Sequence, residues 1–207
     1  MFLNAHDGML VVDGDTECAD ACRRNIGDIE KTAAYCSQRR VCVQAGGNLG
    51  YWPLKLASMF NMVYSFEPDP YNFACLVYNT RNCKNVVRVE GALSNVSGQF
   101  VGLKRYPENV GAHQVSGRGV VPCFTVDSFD FPFCDLLYLD IEGYEPQALL
   151  GALRTIARHK PVICIEDKGL CDARLRAEVL GVLEQAHGYR HIASINRDKI
   201  FTCETKS

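Results

Sequence analysis

A chain of 207 residues with 47% hydrophobic content is long enough for one α/β domain with a sizeable core, and too short for two comfortable ones. Its net charge of −2, with basic pairs only at Arg23-Arg24 and Arg39-Arg40, argues against a nucleic-acid surface. The eleven cysteines are odd in number and scattered without any CxxC, and Cys18 and Cys22 have no neighbouring His or Cys to complete a zinc site. Cys42, Cys75, Cys123, Cys134 and Cys164 fall inside apolar runs, where a free thiol behaves as a small hydrophobe. A reducing, cytoplasmic setting is therefore expected. The opening stretch Met1 to Asp7 has neither a basic segment nor a long apolar one, so neither a signal peptide nor a membrane span is expected.

In chain order, a short strand Met9 to Val12 is closed by the turn Asp13-Gly14-Asp15, and Asp15 or Thr16 caps a helix to about Ser37. Residues 1–40 read as a strand and helix extension packed on a core domain of residues 41–207. Strands are predicted at 41–45, 62–66 and 86–90, with helices at 51–60 and 70–81 between them. Such alternation builds a parallel sheet covered on both faces. Residues 92–131, rich in glycine, read as an antiparallel excursion, with Val120 to Val126 returning to the main sheet. Alternation resumes with strand 136–140, helix 145–159, strand 162–165 and helix 171–186. An antiparallel hairpin, 189–195 and 199–203, ends the chain.

Two features of the first half carry chemistry. The run Val41 to Ala45 leads into Gly46-Gly47-Asn48-Leu49-Gly50 and then an apolar helix pattern, and the next strand ends in Glu67, followed by Pro68. Glycines let backbone approach a ligand, the helix N-terminus offers free N–H groups, and an acid closing the next strand accepts from ribose hydroxyls. A glycine loop alone is explained by a tight turn; the acid makes it a nucleoside-cofactor layout. The spacing of Gly46, Asn48 and Gly50 after Gln44 differs from G-x-G-x-x-G and reads better as the S-adenosylmethionine loop of a class I methyltransferase. A dinucleotide-dependent oxidoreductase is the alternative that this spacing disfavours.

The second half supplies acids. Strand 136–140 ends in Asp140, with Glu142 and Glu145 behind it, and strand 162–165 runs into Glu166-Asp167. Adjacent parallel strands bring Asp140, Glu166 and Asp167 to one edge, where they can bind Mg²⁺ or serve as a base toward a hydroxyl. Like charges at that range need a metal, Lys168 or an arginine, or a retained proton. Glu145 is explained by the helix dipole. His113, in the glycine-rich excursion, is a second candidate base. Tyr51 and Trp52 suit packing beside the cofactor loop, and Tyr144 either lines an acceptor pocket or packs on its helix.

Taken in series, Gln44 to Gly50, Phe66 to Asp69, Gly91 to Ser94, Asp127 to Phe129, Leu139 to Glu145 and Pro161 to Glu166 resemble the FkbM-type methyltransferase family, over about residues 41–170. The resemblance implies a class I, Rossmann-like α/β fold with a mostly parallel sheet, the C-terminal hairpin and the N-terminal helical extension. It also implies S-adenosylmethionine as cofactor and O-methylation of a sugar, glycan or small-metabolite hydroxyl. By the same resemblance the loop Gln44, Ala45, Gly46, Gly47, Asn48 and Gly50 wraps the methionine part, and Glu67 with Pro68 takes the ribose. Gly91 and Ala92 lie by the adenine, and Asp140 sits where the methyl is delivered. The family usually carries an acid at the position of Gln44; a neutral amide holds the cofactor ammonium less strongly, which leaves a non-catalytic module as a further alternative. A looser similarity to metal-dependent sugar O-methyltransferases assigns magnesium to Asp140, Glu166 and Asp167. No nucleic-acid partner is expected, and the oligomeric state is not legible.

Overall fold

The structure, a computed structural model, describes residues 3–6, 8–15 and 17–203. The extension begins with a hairpin, β1 (Leu3–His6) and β2 (Met9–Val12), followed by α1 (Cys18–Asn25) and α2 (Gly27–Ala33). Thr16 lies outside the described residues. The N-cap position of α1 is Glu17, whose side chain makes no capping bond; Asp15, two residues ahead, instead accepts from Cys18 N at 3.1 Å and Ala19 N at 3.1 Å. The single helix expected to reach Ser37 is two shorter ones, interrupted at Ile26-Gly27, because glycine disfavours a helix interior. From there β3 (Val41–Ala45), α3 (Tyr51–Ala57), β4 (Met62–Glu67), α4 (Pro70–Asn79) and β5 (Val86–Glu90) follow. Helix α4 starts with Pro70 at its first turn and Asp69 as cap, accepting from Tyr71 N at 2.9 Å.

The excursion holds β6 (Ala92–Leu93), β7 (Phe100–Lys104) and β8 (Gln114–Phe124), with a 3₁₀ turn over Val110–Ala112. These strands form their own three-stranded sheet in the order β6-β8-β7. Val120 to Val126 therefore does not rejoin the main sheet: β8 spends its hydrogen bonds on β6 and β7, and the chain then turns through a second 3₁₀ turn, Val126–Phe129.

The last third is β9 (Leu136–Leu139), α5 (Glu145–Leu150), α6 (Leu153–His159), β10 (Val162–Glu166), α7 (Ala173–His187), β11 (Tyr189–Ile195) and β12 (Asp198–Cys203). The expected helix 145–159 is broken at Gly151, where a Cβ would stand 2.0 Å from the Ser94 carbonyl oxygen. Asp127 restarts it, its carboxylate accepting from Arg154 N at 3.0 Å and Thr155 N at 2.8 Å.

The main sheet has seven strands in the order β11-β12-β10-β9-β3-β4-β5; β10 through β5 are parallel and β12 is antiparallel to both neighbours. A mostly parallel sheet closed by an antiparallel C-terminal hairpin is the arrangement expected from the sequence. Its core divides by the strand's two-residue period. Val43, Leu137, Leu139 and Ile163 pack on one face, and Cys42, Leu136, Tyr138 and Cys164 on the other. All eleven cysteines are free, and seven of them are buried, among them the five expected to behave as small hydrophobes. The extension is stitched to the core through Asn79, which exchanges hydrogen bonds with Leu10 N at 2.7 Å and Leu10 O at 2.8 Å. Among the described residues, no helix is long and apolar enough to cross a membrane.

Candidate functional site

The chain direction reverses its lateral progress between β3 and β9, and ligands of open α/β sheets sit at such a switch point, outside the carboxyl ends of the strands. A cavity of about 820 Å³ opens there, within the size range of a small-molecule site.

Its floor is the loop after β3. Gly46 N and Gly47 N both donate to Phe66 O, at 3.1 and 2.9 Å, which pins the loop to the end of β4. Gly46 has φ +86°, and a Cβ there would lie 1.9 Å from the Asp140 carbonyl oxygen. The loop and the end of β9 therefore touch backbone to backbone. Asn48 N donates to Glu67 Oε2 at 2.7 Å, and Asp69 N to Glu67 Oε1 at 2.9 Å. Burial pushes the Glu67 carboxyl up to about 7, against the pull of those two N–H groups. Each Glu67 oxygen keeps a lone pair for a ligand hydroxyl.

Ala45, Gly46, Gly47, Asn48, Glu67, Pro68, Gly91, Ala92 and Asp140 all line the cavity, and so do Tyr51, Trp52 and Tyr144. Gln44 and Gly50 do not. The pleat turns Gln44 away from the cavity: its amide donates to Gly46 O at 2.8 Å and accepts from Ser65 Oγ at 2.6 Å. Gln44 thus braces the loop from behind, and its neutrality bears on loop shape rather than on a bound ammonium group. Gly50 opens α3 at φ +92° and packs against Leu76 of α4.

On the β4 side, the excursion supplies the wall. Asn72 of α4 donates to Val110 O at 3.0 Å, and Arg105 donates to Asp69 Oδ2 at 2.5 Å. His113 lies against Asp69, Nδ1 to Oδ2 3.7 Å, and not with Asp140, since β3 separates β4 from β9. Its side chain is only 5% exposed, and among the described residues neither ring nitrogen nor Asn72 Oδ1 has a hydrogen-bond partner. Orphaned buried polar atoms call for a ligand or water. The Gly46-Gly47 cradle, Glu67 and these orphans fit a nucleoside bearing a chain. Burial holds the His113 pKa below the ordinary histidine value, with Asp69 pulling the other way. A ring that binds its proton less readily folded than unfolded loses stability as the pH falls below about 6.5. We expect the His113 ring to titrate below that value by NMR, and His113→Ala to weaken S-adenosylhomocysteine binding about tenfold in calorimetry, the worth of one hydrogen bond; unchanged binding contradicts the assignment.

At the other end are the acids. Asp140 N donates to Ala45 O at 3.1 Å, fixing the acid just beyond β9. Carboxylate oxygens of Asp140, Glu142 and Glu166 lie within 4.8 Å of one another. Asp167 is not in this group: it neighbours Glu166 on the opposite pleat, pairs with Arg176, and has Lys199 at 4.0 Å. Arg176 holds its carboxyl below the usual range. Glu142, which takes Asp167's expected place, reaches the cluster from a left-handed turn, φ 55°, followed by Gly143 at φ 98°. Glu145 shapes that turn, accepting from Ile141 N at 3.1 Å and Gly143 N at 3.2 Å.

Two unit charges 4 Å apart cost or gain about 4 kcal/mol near a protein surface, so three carboxylates cannot stand uncompensated. Lys168 Nζ sits 2.5 Å from Glu142 Oε1 and 2.8 Å from Glu166 Oε2. Burial would lower its pKa, but Asp140, Glu142 and Glu166 outweigh that and hold it above the ordinary lysine value. Burial first, and then the charge and hydrogen bond of Asp140, push the Glu166 carboxyl well above the usual carboxylate range, against the pull of Lys168. Magnesium takes oxygens at about 2.0–2.1 Å and demands near-octahedral space. The ammonium already takes one oxygen of Glu142 and one of Glu166, and a divalent ion drawing on these acids would have to displace it, so the cluster as built does not fit one.

A family model described as the methyltransferase FkbM domain matches residues 44–191. Among solved structures, an FkbM methyltransferase from Methylobacillus flagellatus KT is 19% identical with a TM-score of 0.51, over 79% of this chain and 43% of its own. The chain therefore spans less than half of that protein. A putative methyltransferase from Streptococcus mutans, solved in complex with SAH, is 11% identical with a TM-score of 0.52, over 84% and 93% of the two chains. The precorrin-6y C5,15-methyltransferase of Geobacter metallireducens is 13% identical with a TM-score of 0.50, over 84% and 86%. At these identities the likeness is one of fold. No curated protein sequence matches the chain.

Proposed function

The chain belongs to the FkbM methyltransferase-domain family, and from that premise we propose that it uses S-adenosylmethionine to methylate a hydroxyl of an uncharged small-molecule or sugar acceptor. The observation that carries the reading is one continuous cavity with a nucleoside-type wall at one end and Asp140 at the other, joined where the Gly46 backbone meets the Asp140 carbonyl. The Streptococcus mutans neighbour, bound to SAH on the same fold, supports the choice of cofactor.

Gly46, Gly47 and Asn48 hold the amino-acid part, Glu67 the ribose hydroxyls, and Gly91 with Ala92 the base. When bound, S-adenosylmethionine supplies an activated methyl group and retains the electron pair of the broken carbon–sulfur bond. The protein's own work is at the acceptor. A sugar hydroxyl is a poor acid, so its proton must be taken as the new bond forms. Asp140 accepts that proton, and the rigid contact between its backbone and the cofactor loop fixes the distance between base and methyl donor. Orientation of this kind supplies several orders of magnitude in rate without new chemistry.

Isothermal titration tests the cofactor. S-adenosylhomocysteine is expected to bind with a dissociation constant of about 1–100 μM, about 5–8 kcal/mol, and NAD not to bind; NAD binding in its stead overturns the reading. Transfer of a labelled methyl from S-adenosylmethionine to neutral sugars then tests the acceptor class.

A further inference from the structure

We propose that Lys168 is the resident cation of the acceptor end, filling the position a divalent ion would need and making the methyl-transfer site independent of metal. The proposal rests on the methyltransferase reading for what the site does, and on geometry alone for what occupies it.

The loops after β9 and β10 are built around this lysine. Glu142 and Lys168 meet at 2.5 Å from separate loops, and Glu166, two residues before the lysine, meets it at 2.8 Å. The approach is enforced by backbone. Glu142 is held in the left-handed region, where a side chain is strained, and such strain persists only where surroundings over-determine it. Next to it, Gly143 lies so close to the other loop that a Cβ would stand 2.9 Å from the Leu170 carbonyl carbon. The two loops thus interlock. The lysine side chain is 25% exposed, against 7% for Glu142 and 11% for Glu166, so it enters the cluster from the solvent side and closes it.

A fixed ammonium does part of what a metal ion does. It neutralises the acids around Asp140, so that one carboxylate is left to receive a proton, and it holds Glu142 and Glu166 in place. It does not offer the open coordination position through which a metal binds and polarises the acceptor oxygen. The acceptor must therefore donate its hydroxyl to Asp140 directly. A carboxylate or phosphate acceptor would face Asp140 and Glu142 with no open metal position to bridge it, which selects uncharged alcohols. Lys168 is on this account a positioning residue: it acts through Asp140, Glu142 and Glu166.

The test is a titration of the whole protein with Mn²⁺, followed by electron paramagnetic resonance of the free ion, alongside methyl transfer in exhaustive chelator. The wild type is expected to bind Mn²⁺ no tighter than about 1 mM, the weak end of protein sites, and to keep its activity in chelator. Lys168→Met is expected to tighten Mn²⁺ binding at least about tenfold by freeing three carboxylates for the ion. Lys168→Arg is expected to restore the wild-type indifference to metal. Sub-millimolar Mn²⁺ binding by the wild type that Asp140→Asn abolishes, or loss of activity in chelator with recovery on Mg²⁺, overturns the proposal. So does a folded Lys168→Met variant with unchanged Mn²⁺ affinity. Should Lys168→Met not fold, the wild-type titration and chelator assay decide alone. S-adenosylhomocysteine binding separates the two readings: binding with metal dependence rejects the lysine's role only, and no binding rejects the methyltransferase reading while the Mn²⁺ result stands.

Discussion

Asp140→Asn is expected to lower methyl transfer by about 10²–10⁴-fold, the usual worth of a general base, while leaving S-adenosylhomocysteine affinity within a few-fold of wild type. The asymmetry follows from where Asp140 sits. Its backbone, not its carboxylate, meets the cofactor loop: its N–H donates to Ala45 O at 3.1 Å and its carbonyl faces Gly46. An asparagine keeps both of those contacts and the side chain's volume, yet cannot take a proton at neutral pH. It also removes the charge whose hydrogen bond and field raise Glu166. Glu166 then titrates lower, and pH-dependent calorimetry or infrared spectroscopy of the carboxyl band should detect it. Rate measurements under single-turnover conditions, with cofactor affinity measured separately, check the pair. Equal loss of binding and rate would mean that Asp140 supports the cofactor and is not the base.

The second large effect is expected at Gly46→Ala. The residue has φ +86°, and the added methyl would lie 1.9 Å from the Asp140 carbonyl oxygen, an atom that cannot swing away. The left-handed backbone costs about 1–2 kcal/mol for a residue with a Cβ, and forced overpacking a further 1–3 or so. At about 2–4 °C per kcal/mol for a domain of this size, the melting temperature should fall by about 5–15 °C. Cofactor binding should disappear, because the loop can relieve the clash only by leaving β9. Gly98→Ala is the control: φ is +79° there, and no atom lies within 4 Å of the added carbon. That variant should lose only about 1–2 kcal/mol and keep full affinity. If Gly46→Ala binds S-adenosylhomocysteine normally, the contact between loop and strand end is not what shapes the cofactor cradle.

How much of this was legible beforehand depends on where each cause lies. The parallel strands β3, β4, β9 and β10 were readable because buried strands are continuous apolar runs between turn residues, and Glu67 and Asp140 because each closes such a run. The exchange of Asp167 for Glu142 was not readable. It turns on which way the pleat faces at the last residue of β10 and on a left-handed turn at Glu142, whose one local sign is the glycine that follows. Val120 to Val126 is an apolar stretch that suits a strand, and nothing in it says which sheet it joins; its partners β6 and β7 are chosen by tertiary packing. The break at Gly151 has its cause in Ser94, far back in the chain. Asn72 and His113 escaped a cofactor assignment for the same reason: only the folded excursion brings them to one wall.

That excursion also sets the order in which things can come and go. Between Arg105 and His113 it is tied on one side to α4, through Arg105 with Asp69 and Val110 O with Asn72. On the other side it is tied to the extension, through Val110 N with Asp15 at 3.4 Å and Asn109 with Glu17 at 2.8 Å. This strap crosses the nucleoside end, and none of these four ties involves the loops that carry Asp140 and Lys168. On the proposed reading, a cofactor seated beneath the strap would be freed by parting these ties, while the loops of the acceptor end, which are not fastened to it, would stay in place.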